Sequence, residues 1–185
     1  QTNGYVVADA NGDGTFTLVG GNNVIAVSNA SDTALIGTAI GGCGFTKTGN
    51  GVLQLAGANT FTGMLTVAQG TLKLSKYVSA ALGATGTGND TVVSNGATLD
   101  LCGAYTNSLN WPENLWISGV GVNGNGALIN TGAWLLNSGL SGTMTLLGDT
   151  LVNCMNRIDF RGTVNGNGYT LTKNGGTELA VAVPV

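Results

Sequence analysis

The sequence predicts an all-β chain wound into a solenoid. Three observations carry that expectation: short runs of alternating apolar and polar residues, an unusual supply of glycine between them, and run-plus-turn units recurring about every 20 to 25 residues. Alternation is clearest where Val52 and Gln54 share one side of a run while Leu53 and Leu55 share the other. Leu65, Val67, Leu72 and Leu74 continue the pattern. Glycine accounts for 32 of the 185 residues, and only 8% of residues are charged. With 43% apolar residues the chain is too hydrophobic for disorder, so Thr, Ser, Asn and Gly must cover its surface. A solenoid accounts for this composition. Each strand bonds to its equivalent one rung away, ~4.8 Å along the axis, so like charges would stack directly over one another. Roughly eight coils make a rod about 40 Å long. A β-sandwich is the alternative architecture.

One domain is expected over residues 1–185, with a lead-in segment at 1–35 and repeat coils at 36–185. The lead-in alternates strand-like runs at Val6–Val7, Phe16–Val19 and Val24–Val27 with turns. Asp9, Asn11 and Asp13 have the spacing of the first half of a calcium loop. Position twelve of that loop would be Gly20 rather than a bidentate glutamate, so an Asx-turn hairpin without metal is the plainer reading. Beyond the leucine-rich stretch, Ser79–Leu82 has room for one helical turn. Val93, Ala97, Leu99 and Leu101 are core candidates, and Pro112 excludes a central ladder donor. Further strands are expected around residues 127–130, 134–136, 144–147 and 150–152. GT and TK at residues 162–163 and 172–173 echo GT and TK at 37–38 and 46–47. This suggests a large repeat starting over near residue 162, with Lys47 and Lys173 in equivalent places.

The segment Phe45–Leu74 carries a more specific signal. Thr46, Lys47, Gly49, Gly51, Leu53, Leu55, Gly57, Asn59, Thr60, Phe61, Thr62 and Gly63, then Thr66, Val67, Gly70, Thr71 and Leu72, match a spaced pattern. On those residues the segment resembles the autotransporter-associated β-strand repeat of secreted bacterial proteins. The resemblance implies a right-handed parallel β-helix, export from the cell and a non-catalytic passenger-type role.

Residue chemistry points the same way. The chain has no histidine, the commonest general base. Its net charge of −3 offers no basic footprint for nucleic acid. No run of eighteen apolar residues marks a transmembrane helix. The absence of an initiator Met suggests an exported, processed chain working outside the cell or on its surface. Asp159, between Arg157 and Arg161, reads as a solvated charge cluster. Cys43, Cys102 and Cys154 are disulfide candidates, or three small buried apolar residues. Trp111 and Trp116 are candidate glycan-contacting aromatics. Leu179, Val181, Val183 and Val185 form an apolar, uncharged final strand suited to recruiting another strand. The leading expectation is therefore the subunit of an extracellular filament, with itself as partner in a head-to-tail polymer. An adhesin or glycan-binding passenger and a polysaccharide-degrading β-helix enzyme are the alternatives. No cofactor is expected beyond the calcium of the early loop.

Overall fold

The computed structural model describes residues 4–8, 14–75, 78, 80–102, 110–132 and 139–181. The chain winds through three faces in turn, and each circuit is one coil. The first coil is β1 (Gly4–Val7), β2 (Thr15–Leu18) and β3 (Asn23–Ala26). The second is β4 (Thr33–Ile36), β5 (Ala39–Gly42) and β6 (Phe45–Thr48). Next come β7 (Val52–Leu55) with β8 (Leu65–Val67), then β9 (Thr71–Leu74) with β10 (Thr91–Val93). The fifth is β11 (Thr98–Asp100), β12 (Asn110–Trp111) and β13 (Leu115–Gly119). β14 (Leu128–Ile129) and β15 (Gly139–Leu140) lead into the long β16 (Met144–Asn153). β17 (Ile158–Phe160), β18 (Val164–Asn165), β19 (Leu171–Asn174) and β20 (Leu179–Val181) complete the chain of strands.

Every ladder is parallel, and each strand pairs with its equivalent one coil away, which makes the fold a parallel β-helix. The first face stacks β1, β4, β7, β9, β11, β14, the end of β16, and β19, the expected eight rungs. The third face stacks β3, β6, β8, β10, β13, the start of β16, and β18. Strand β16 therefore turns the corner between these two faces without a break. Two separate strands were expected there, at 144–147 and 150–152. The second face is interrupted. It has β2 with β5 at one end and β12, β15, β17 and β20 at the other.

Parallel register stacks like upon like. Leu53, Leu72, Leu99, Leu128 and Val152 form one buried column, because each pairs with the next. A second column continues through Leu55 and Leu74, and Leu65, Val67, Val93, Ala97 and Leu101 are buried as their parity requires. The outer side of the first face runs Gln54, Lys73, Asp100, Ile129. Where charges do stack they are opposite: Lys73 meets Asp100 at 3.7 Å. Residues 80–82 form a turn rather than a helix, and Pro112 sits in a corner between strands, as its missing N–H demands.

Corners explain the repeat pattern. The side chain of Asn59 is buried and spans three coils. Its Oδ1 accepts from the Ile40 N–H at 2.8 Å, and its Nδ2 donates to the Ala81 carbonyl at 2.6 Å. It stands where coils three and four have no second-face strand among the described residues, so it supplies hydrogen bonds that a ladder would otherwise supply. Phe61 fills the same gap, edge-on to Phe45 with ring centroids 5.4 Å apart. Gly63 and Gly70 adopt positive φ, as turn glycines were expected to. Gly57 is required for a different reason: a Cβ there would lie 2.3 Å from the Thr38 carbonyl oxygen of the preceding coil. Gly57→Ala is expected to cost about 2 kcal/mol by overpacking, measurable by chemical denaturation.

Candidate functional site

The described residues contain no group of three or more Cys, Asp or Glu able to hold a metal ion. The loop bearing Asp9, Asn11 and Asp13 lies outside the described residues, as do Val183 and Val185. The site residues that can be placed fall into three groups: buried charges at corners, the outer ladder around Trp116, and the first and last described strands.

Lys47 is the first buried charge. It points inward from β6, is 0% exposed, and donates to three carbonyls: Gly49 at 2.6 Å, Gly51 at 2.7 Å and Gln69 at 2.8 Å. Those three bonds saturate the three donors of an ammonium. Burial pushes its pKa down to about 8, so it is charged at neutral pH inside a cage of backbone oxygens. Gly70 must be glycine here, because a Cβ would sit 2.5 Å from the lysine nitrogen. The T-K-x-G-x-G spacing of the sequence is thus the recipe for this corner. The sequence could not show that the third acceptor comes from the following coil.

Lys173 does not occupy the equivalent place. It lies on the first face opposite Val152, whereas Lys47 lies on the third face opposite Ile25. The expected restart of a large repeat is overturned by this difference of face. The local turn is nevertheless the same, since Lys173 donates to the Gly175 carbonyl at 2.7 Å and Gly175 has positive φ like Gly49.

Glu113 is the second buried charge, and it was not singled out from sequence. It sits in the turn between β12 and β13 and is 1% exposed. Its Oε1 accepts from the Thr91 hydroxyl at 2.6 Å, while Oε2 has no partner. Burial is the main cause of a pKa raised to about 8; the Thr91 bond opposes the rise and neighbouring Asp90 adds to it. At neutral pH the carboxyl is therefore protonated. A lone Glu after Pro in a turn reads as solvated, and only stacking of the next corner over it removes the water. That next corner is close, since a Cβ on Gly142 would lie 2.1 Å from the Glu113 carbonyl oxygen.

The cluster around Asp159 is not solvated as expected. Asp159 is buried and held by Arg157 at 2.5 Å and Arg161 at 3.9 Å, and Arg157 also meets Glu178 at 2.8 Å. Pairing raises the Arg157 pKa, first through its bond to Asp159. The two candidate tryptophans separate as well. Trp111 is 5% exposed and belongs to the core, so it cannot stack on a glycan. Trp116 is 38% exposed on the outer side of the third face. Its ladder runs Thr46, Thr66, Val92, Trp116, Thr145 without a charge.

All three cysteines are free thiols, and Cys154 is buried with its pKa raised by that burial. No disulfide forms. Cys43 follows β5 on the second face, while Cys102 and Cys154 follow β11 and β16 on the first. β14 lies between those two first-face strands, so Cys102 and Cys154 are two rungs apart, about 9.6 Å, beyond the reach of a disulfide.

Among the described residues, β1 and β19 of the first face each pair on one side. Tyr5 begins the inward column that continues through Ala34 and Leu53 and closes at Val152 and Lys173. Tyr5 is 64% exposed and Lys173 is also exposed; among the described residues no coil stacks on either. Leu179 and Val181 continue the buried column of Ile158 and Phe160, and Val181 is 49% exposed.

Comparison with known proteins agrees with this geometry. The passenger-associated-transport-repeat family matches residues 45–74. The chain is 38% identical over 105 residues to the adhesin BmaC autotransporter of Brucella suis biovar 1 (strain 1330). That match covers 56% of this chain and 3% of the Brucella protein, so the chain spans a small part of that relative. No solved structure matches. Residues 45–74, with their caged lysine, bridging asparagine and close-packed glycines, are the part of this parallel β-helix that is similar to the passenger-associated-transport-repeat family.

Proposed function

We propose that this chain is a non-catalytic β-helical rod that works outside the cell or on its surface, and that rods join end to end into a filament. The carrying observation is the parallel register of the coils: each strand pairs with its equivalent one coil away, so a coil of another copy meets the same edge geometry. A strand edge that meets such a coil can pair with it. The two ends are different surfaces, so contact between them is heterologous and propagates instead of closing. The passenger-type repeat supports an extracellular role. Among the described residues, Asp100, Asp159 and Lys47 are each held in structural bonds, which supports a non-catalytic reading. No helix among them is long and apolar enough to cross a membrane.

Sedimentation velocity over a wide concentration range is the test, with electron microscopy of the concentrated sample. Head-to-tail rods are expected, and Val181→Lys, a charge on the exposed end, is expected to suppress them. A monomer at every concentration overturns the filament. Release of reducing sugar from pooled polysaccharides overturns the non-catalytic half.

The exposed Trp116 ladder favours a second reading, adhesion to a neutral glycan. An exposed aromatic set between Val92 and Thr145 in an uncharged ladder offers a sugar a stacking face. The similarity to an autotransporter adhesin supports it. Binding on a glycan array that is lost in Trp116→Ala would establish this reading, and an unchanged binding pattern would remove it.

A further inference from the structure

We propose that the third face binds a linear, uncharged oligosaccharide laid along the rod axis, held at one end by a groove over Thr46 and Thr66 and at the other by the ring of Trp116. This rests on the glycan reading and names the shape and class of the sugar.

A groove of about 320 Å³ opens beside the outer ladder of this face. One wall is Met64, 53% exposed at the corner before β8. One rung earlier the corner residue is Gly44, where a Cβ would lie 2.2 Å from the Met64 carbonyl oxygen. A bare corner beside a long side chain leaves the hollow. Along it Thr46 and Thr66 are paired one rung apart, ~4.8 Å. Both side chains are half-buried, and neither hydroxyl has a hydrogen-bond partner among the described residues. Thr91 and Thr98, by contrast, donate theirs to Glu113 Oε1 and the Gly126 carbonyl. Trp116 stands in the same ladder as Thr66, two rungs beyond it. Three rungs separate Thr46 from Trp116, ~14 Å, which is a span for several joined sugar rings rather than one.

Three features select the occupant. From β6 to β13 every strand of this face is paired on both sides, so no backbone edge is free for a peptide strand. The uncharged ladder from Thr46 to Thr145 is ~19 Å long and narrow, far short of the ~800 Å² that each partner gives to a stable protein interface. Asp90 stands beside the Met64 wall, its carbonyl accepting from the Leu65 N–H at 3.0 Å, and its carboxylate repels an anionic chain. The contacts left are those a neutral sugar makes: a ring face on the Trp116 indole, and hydroxyls against Thr46 and Thr66 in a mostly apolar groove.

Binding of the full chain to an array of glucose, mannose and galactose oligomers tests this, with each series graded from monosaccharide to hexasaccharide and paired with sialylated counterparts. Signal is expected to rise with chain length on the neutral oligomers, and to stay weak on monosaccharides and sialylated chains. Thr66→Val keeps the shape and strand preference of the residue while removing its hydroxyl, and is expected to weaken binding of the long oligomers about three- to tenfold. Thr66→Lys obstructs the groove from the outer side and is expected to weaken it further, and Trp116→Ala to abolish it. Melting temperatures of the variants check that the rod is intact, and Thr66→Val decides alone if the lysine variant does not fold. Binding that is equal for monosaccharide and hexasaccharide, lost in Trp116→Ala but unchanged in the Thr66 variants, overturns the groove and leaves the glycan reading standing. Preference for sialylated chains overturns the neutral class. No binding to any oligomer overturns both.

Discussion

Replacing Asn59 by alanine is expected to lower the melting temperature by about 8–16 °C. The amide occupies a gap in the second face and serves two coils at once, accepting from Ile40 and donating to Ala81. Truncation leaves a buried N–H and a buried carbonyl without partners, at about 1–3 kcal/mol each, or about 4 kcal/mol together. A chain of this size loses about 2–4 °C per kcal/mol. Asn50→Ala, in an exposed corner, is the control and is expected to shift the transition little. Calorimetry of the two variants decides the matter. An Asn59 variant that melts with the wild type would mean that water or a backbone shift replaces the bridge.

Raising the pH from 5 to above 8 is expected to destabilise the rod through Glu113. Burial lifts its pKa from 4.5 to about 8, so between those values the native chain holds a proton that the unfolded chain has released. Stability from this group is therefore fully present below 4.5 and is lost as pH rises through 8. The full shift corresponds to a loss on the order of 4–5 kcal/mol. Lys47 acts with the opposite sign and in a different window. Its pKa is lowered from 10.5 to about 8, so its contribution to stability rises with pH only above 8. Denaturant titrations between pH 5 and 8 thus isolate Glu113. Glu113→Gln keeps the Thr91 hydroxyl bonded and removes the titration, so its stability is expected to stay level across that range. A wild-type midpoint that does not move between pH 5 and 8 would show that Glu113 is ionised throughout.

Much of this fold was legible in the residues themselves. Period-two alternation placed Leu53, Leu55, Leu72, Leu74 and Leu99 on the buried side, because a strand has only two sides and one of them faces the core. Scarcity of charge and abundance of glycine announced stacked, close-packed turns, and Gly57 and Gly70 are tight for that reason. The roles of individual side chains were legible only where a role is local. The Lys-x-Gly turn is local, so its second copy at Lys173 could be seen in the sequence. Its face was not visible, because which face a turn serves depends on how many residues each intervening corner takes. Those lengths vary: cross-coil partners are 19 residues apart at Ile40 and Asn59 but 31 apart at Asp100 and Thr131.

The sequence by itself determined strand parity, the repeat at residues 45–74 and the absence of histidine chemistry. Tertiary structure alone decided burial along the rod axis. It put Trp111 inside and Trp116 outside, dried the carboxyls of Glu113 and Asp159, and separated Cys102 from Cys154 by two rungs. The physical reason is common to all of these. In a parallel β-helix a residue's surroundings come from the coils before and after it, some 20 to 30 residues away. No local pattern states which coil will stack over a given turn.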